Sequence, residues 1–127
     1  WYQRFEHTAD GQDFGGEVWL ISWPSGTQTG LHDHGGSPGA FVVVDGELTE
    51  QTIAGAGTDT PRLRNHTKTP GRPRMFGAYH LHNVGNVSPG HALSVHVYTP
   101  ALTSMSRYAW TPRGAEAVSI DRVGQDW

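Results

Sequence analysis

The chain has 127 residues, room for one domain at roughly 100–200 residues each. Its 9 Lys+Arg against 12 Asp+Glu give a formal net charge of −3, which provides no basic stripe for phosphates and argues against a nucleic-acid partner. Cysteine is absent, which removes disulfides, thiolate zinc sites and thiol nucleophiles and leaves any metal to His and carboxylates.

No apolar run approaches the ~20 residues of a membrane span, and the start lacks a signal-peptide pattern; Trp1 in place of Met is compatible with a leader already trimmed. With 17 Gly, 8 Pro and 17% charged residues, the composition suits short strands joined by many turns. No repeat or low-complexity linker divides the chain, so residues 1–127 are expected to form a single domain.

In chain order, Glu17–Trp23 is rich in β-branched and aromatic residues and closes at Pro24-Ser25-Gly26, which predicts a strand. Ala40–Val44 is a second strand, and Asp45-Gly46 between it and the alternating Glu47–Ile53 predicts a β-hairpin. Residues 54–73 read as a loop with one short irregular strand around Arg62-Leu63-Arg64. Met75–Tyr79 and His80–Val84 fit one strand or two. Ala92–Tyr98, bounded by Pro89-Gly90 and Thr99-Pro100, is the clearest late strand. Leu102–Trp110 carries the only helical spacing. Many short strands separated by turns predict an all-β fold, a small barrel or jelly roll.

The 8 His carry the chemistry. His32 and His34 stand at i and i+2, as do His80 and His82, and in extended chain such pairs project from one face and can reach one ion. Imidazole suits Fe, Zn, Cu or Ni, and spacing alone does not choose among them. Asp33, between two candidate ligands, is expected to face away and bond nearby backbone. Ser94, His96 and Tyr98 share one face of their strand, where a hydroxyl, an imidazole and a phenol can bond in series; the same pattern also fits an ordinary half-wet strand face.

The spacing Gly26…His32-x-His34…Gly39…Gly46 resembles the first motif of the cupin superfamily, with Gly39 where a Glu ligand usually stands. His82-Asn83-Val84-Gly85-Asn86 resembles the second motif, which makes His82 the third ligand and leaves His80 as a neighbour. A three-His cupin without the Glu is similar to the cysteine dioxygenase family. Gly30-Leu31-His32-Asp33-His34 with Ser37, Val44–Glu50, Leu81–Asn86 and Ala92–Pro100 match that family in order, from about Trp1 to about Tyr108. The tail 111–127 carries no match.

That resemblance implies a cupin β-barrel and a non-haem Fe(II) held by His32, His34 and His82. It also implies a relay of Ser94, His96 and Tyr98, with the phenol aimed at the metal. Gly39 is like the bacterial branch, and without cysteine the Cys–Tyr cross-link of animal members cannot form. Tyr2-Gln3-Arg4 resembles the family's Tyr-x-Arg, implying that Arg4, with Tyr2 beside it, binds the carboxylate of L-cysteine; a surface Arg near a terminus is the other reading. The implied reaction oxidises L-cysteine with O2 to cysteine sulfinic acid. Competing readings are another small thiol such as 3-mercaptopropionate or a specialised pathway substrate, a non-catalytic small-molecule-binding cupin, and a Ni, Zn or Mn isomerase or lyase. Expected partners are a small thiol and O2, with no nucleic acid and no membrane, for a monomer in the cytoplasm.

Overall fold

The computed structural model describes residues 1–9 and 12–126; of residues 5–9 and 12–14 only the backbone is described. Every regular element among these is a β-strand: β1 Tyr2–Ala9, β2 Gln12–Trp23, β3 Leu31–His32, β4 Gly39–Asp45, β5 Leu48–Ala54, β6 Arg62–Lys68, β7 Arg74–Phe76, β8 His82–Gly85, β9 Ala92–Tyr98, β10 Ser104–Thr111 and β11 Gly114–Arg122. They form a five-stranded sheet, ordered β1-β2-β9-β4-β7, and a six-stranded sheet, ordered β11-β10-β3-β8-β5-β6. All the pairings are antiparallel.

The inner faces of the two sheets share one core of Trp19, Trp23, Phe41, Val43, Leu48 and Phe76 with their neighbours. Phe41 is 2% exposed and Leu48 fully buried, and each such side chain contributes about 1.5–3 kcal/mol on leaving water. Strand alternation decides which residues face this core. In β9, Ala92, Ser94, His96 and Tyr98 are buried and the aliphatics between them only half so, so the chain spends an inward strand face on polar side chains.

Several expectations are corrected. Asp45-Gly46 does not close a hairpin: β4 pairs with β7 and β9 while β5 pairs with β6 and β8, so the turn carries the chain from one sheet to the other. Gly46 sits at φ 76° against the backbone of His91 and Ala92, a left-handed corner with no room for a side chain. The region 54–73 contains a full seven-residue strand, β6, in register with β5. Its mostly exposed residues belong to a sheet edge, where no apolar alternation is needed. The stretch 75–84 is two strands in different sheets. Residues 102–110 supply β10 rather than a helix, and the unmatched tail supplies β11, joined to it by a tight turn. The amino-terminal residues form β1 along β2.

Candidate metal centre

His32 ends β3, His34 follows in the next turn, and His82 opens β8 directly opposite His32. The turn that presents His34 is built by Asp33, whose Oδ1 accepts from Gly35 N at 3.0 Å and Ser106 N at 3.0 Å and whose Oδ2 accepts from the Tyr108 hydroxyl at 2.9 Å. Asp33 therefore faces away from the histidines, and its carboxyl is held below the usual range: these hydrogen bonds outweigh the opposing effect of its burial. Asn83, next to His82, accepts from Gly30 N at 2.9 Å and donates to Gln28 and Gln51, tying the strand of one ligand to the approach of another.

One ring nitrogen from each of His32, His34 and His82 lies within 4.8 Å of the others. All three residues are buried. His32 Nδ1 donates to Gly30 O at 2.8 Å and His82 Nδ1 donates to Glu50 Oε2 at 2.7 Å, which leaves the Nε2 lone pair of each for a ligand. His34 has both ring nitrogens buried with no partner. A neutral imidazole without any hydrogen bond is costly in an apolar interior, and a cation on its lone pair removes that cost at one of the two nitrogens. Burial, reinforced by the neighbouring imidazoles, lowers the pKa of His32 to about 3 and of His34 to about 2. Ligands that stay neutral at pH 7 and an unpartnered buried lone pair on His34 fit a divalent transition metal.

Glu50 was not singled out in the sequence. Fully buried, it accepts from His82, from His80 Nε2 at 3.2 Å and from Arg74 Nε at 2.9 Å, with Lys68 Nζ 3.7 Å away. Burial pushes its pKa up, yet the hydrogen bonds from His80, His82 and Arg74 hold it well below the usual carboxylate range. Glu50, His80 and His82 also lie close enough to hold an ion. Two cations already satisfy that carboxylate, so its evident role is to fix the His82 tautomer.

The facing sheet carries the second set. Trp23 Nε1 donates to Ser94 Oγ at 2.8 Å, Ser94 Oγ lies 2.8 Å from His96 Nε2, and His96 Nδ1 lies 3.3 Å from the Tyr98 hydroxyl. Burial lowers the His96 pKa to about 3, so the ring carries a single proton. Fully buried Ser94 finds an acceptor for its own proton in His96 Nε2, which puts the imidazole proton on Nδ1, facing the Tyr98 oxygen. The phenol proton is then free to turn toward the cavity. Burial and, after it, the Glu17 carboxylate raise the Tyr98 pKa, keeping it a donor.

Tyr98, His96, His32 and His82 line one cavity of about 270 Å³, with Trp19 and Trp23 in its wall. Arg107, also unremarked in the sequence, reaches this wall while bonded to Asp121 at 2.7 Å and to Thr29 O at 2.8 Å. Arg4 lies 3.6 Å from Glu17 Oε2 and pairs in register with Trp19; it is not among the residues lining this cavity. Tyr2 packs on Trp19 with ring centroids 4.9 Å apart. Gly39 faces Tyr98 across β4 and β9 and brings no carboxylate to the site.

A family model described as cysteine dioxygenase type I matches residues 3–111. Among solved structures, oxalate decarboxylase from Bacillus subtilis is similar at 14% identity and TM-score 0.60, over 72% of this chain and 23% of that one. Oxalate oxidase in complex with the substrate analogue glycolate is similar at 16% identity and TM-score 0.60, over 77% of this chain and 50% of that one. The chain thus spans a quarter to a half of the length of these proteins, and at such identities the likeness is one of fold: an all-β cupin.

Proposed function

The chain belongs to the cysteine dioxygenase family, and from that premise we propose that it is an Fe(II)-dependent thiol dioxygenase that oxidises L-cysteine with O2 to cysteine sulfinic acid. The observation that carries this reading is the His34 imidazole, buried with both nitrogens unpartnered beside His32 and His82 and opposite a phenol whose proton is free for the cavity.

A bound Fe(II) would supply the redox chemistry by which a singlet thiolate and triplet O2 react. Three neutral imidazoles leave the ion its full charge, which favours an anionic sulfur. His32 and His82 are oriented by Gly30 and Glu50. The Tyr98 O–H donates to the sulfur or to the oxygen arriving there, and His96, Ser94 and Trp23 hold that phenol in place. Arg4 offers a charge-assisted hydrogen bond to the substrate carboxylate. The apolar wall excludes water. In the net reaction both atoms of O2 end on sulfur, RSH + O2 giving RSO2H, with no other co-reactant.

The test is O2 uptake by Fe(II)-loaded protein given cysteine, 3-mercaptopropionate and cysteamine in turn, with the product mass read at the end. Uptake with cysteine and a product two oxygens heavier supports the reading. Silence with all three thiols on protein shown to hold iron overturns it.

A further inference from the structure

Alternation along β9 turns Ser94, His96 and Tyr98 inward and so leaves Leu93, Val95 and Val97 on the outer face of the five-stranded sheet. The registers carry this face across the neighbouring strands: Val18 and Leu20 of β2 stand opposite Val97 and Val95, Ala40 and Val42 of β4 stand opposite the same two, and Met75 of β7 stands opposite Ala40. Directly opposed residues share a face, so two rows run across the sheet, one of Val18, Val97, Ala40 and Met75 and one of Leu20, Val95 and Val42. Neither row contains a polar side chain. The solvated face of an antiparallel sheet is normally polar, and the six-stranded sheet keeps to that rule: its outer row is Asn83, Gln51 and Asn65, with Asn83 bonded to Gln51 at 2.9 Å. Beside the aliphatic rows lies a shallow groove of about 570 Å³ lined by Pro38, Ala40, Met75, Gly77 and Val97. Met75 projects from it, 74% exposed.

We propose that this face docks a second copy of the chain, the two five-stranded sheets packing outer face to outer face as a two-fold dimer. A face without charge offers nothing to steer a charged partner, and it is complementary to itself. A two-fold axis along the strands between β4 and β9 lays β4 of each copy over β9 of the other and β7 over β2. Each row then meets itself: Ala40 lies over Val97 of the other copy, Val42 over Val95, and Met75 over Val18, so that small residues face larger ones. Such a contact is isologous, every pairing occurring twice. With strands about 4.8 Å apart and a rise of about 3.4 Å per residue, four strands of about seven residues present roughly 440 Å² in projection on each copy. Side-chain relief adds to that projection, which brings the total for both copies to the roughly 1,000 Å² that a specific interface clears. The monomer expected from the sequence would leave all of it in water. The two faces of β9 thereby serve two purposes, the relay of Ser94, His96 and Tyr98 within and the contact between copies without. The inference stands apart from the thiol dioxygenase reading and survives or falls on its own.

Sedimentation equilibrium of the parent protein from nanomolar to submillimolar concentration reads the mass directly, and twice the chain mass is expected at the upper end. Met75→Lys and Val95→Lys each put a charge on the outer face and leave the inner one alone. Each is expected to raise the dissociation constant of the dimer about 30-fold or more, the weight of one hot-spot side chain, with a circular dichroism spectrum like the parent's. Val118→Lys, at a 64% exposed position on β11 of the other sheet, is expected to leave the dimer as it was. In a mixture of isotope-labelled and unlabelled copies, the Met75 methyl of one copy is expected to show nuclear Overhauser contacts with the Val18 methyls of the other. A parent that sediments as a single copy at every concentration overturns the proposal, as does a dimer that both face variants leave intact. A single-copy parent that floats with phosphatidylcholine vesicles assigns the face to a lipid surface and overturns it equally. A dimer weakened by the two lysines but lacking the Met75 to Val18 contact keeps the docking face and overturns the pairing of rows.

Discussion

Gly39 and Tyr98 lie opposite each other on β4 and β9 so closely that a Cβ at position 39 would stand 2.9 Å from the Tyr98 ring and 2.5 Å from Val97 O. Backbone cannot yield to such an atom as a flexible side chain can. Gly39→Ala is expected to destabilise by about 1–3 kcal/mol, as overpacking in a filled core does, and to displace the phenol. Thermal unfolding with and without metal, together with kcat, checks both: a variant as stable and as active as the parent removes the argument that this glycine seats Tyr98.

Tyr98→Phe keeps the ring beside His34 and Phe76 and deletes the proton aimed at the cavity. The expected result is a kcat about 100-fold lower, the scale of losing one well-placed donor, with metal affinity unchanged. Ser94→Ala is expected to reproduce part of this loss, because the His96 proton is then no longer assigned to Nδ1. Parallel metal titrations and steady-state kinetics separate the two effects; a fall in metal affinity matching the fall in rate counts against the relay.

Glu50→Gln removes the charge behind His82 at nearly constant volume. Loss of such a partner typically weakens metal binding 10–100-fold, and this buried one also serves Arg74 and His80. Competition titration against a chelator of known affinity reads the change directly, and an affinity equal to the parent's would show that Glu50 matters to folding alone.

Arg4→Gln is expected to raise KM for cysteine about tenfold or more and leave cysteamine unaffected, since only the former brings a carboxylate. Equal kinetics on both thiols would leave Arg4 without a part in holding the substrate.

In metal-free protein, stability should fall with acid over a window set by the buried histidines. His32, His34 and His96 have folded-state pKa values lowered by burial to about 3, 2 and 3, against about 6.5 unfolded. Below 6.5 the unfolded chain binds protons the folded one refuses, so their stabilisation is complete above that pH and is lost as pH drops toward 3. Each contributes a slope of up to about 1.4 kcal/mol per pH unit there. Urea midpoints at pH 7.5 and 5 measure this, and equal midpoints would contradict neutral burial. Bound metal should shift the onset of the loss to lower pH.

The cluster of His32, His34 and His82 was legible because the three sit in two short i, i+2 pairs in a chain without competing cysteines. Strand β9 was legible because it obeys strict alternation between clear turn signals. Glu50 escaped notice because Leu48 and Ile53 in its strand differ in parity, so the apolar residues alone do not say which face is buried. Leu48 does face the core, and the carboxylate two residues on follows it inward. Asp45-Gly46 misled because a local turn preference says nothing about which sheet receives the next strand. The helical spacing at 102–110 arose because β10 is half-buried on both sides: Met105 and Arg107 face the cavity while Tyr108 reaches Asp33 on the other, which blurs the two-residue period.

The three clustered histidines hang from the six-stranded sheet and the turn after β3, whereas the Tyr98 phenol hangs from the five-stranded one. Their separation is thus a gap between two independently hydrogen-bonded sheets, spanned by the packing of Phe76, Leu102 and Met105 and by the Arg74–Glu50 ion pair rather than by a backbone ladder. Loosening that packing opens the gap like a hinge left unpinned: trimming Leu102 would slow the reaction while the ion stayed bound, and evolution could retune turnover by exchanging apolar spacers without touching a single coordinating atom.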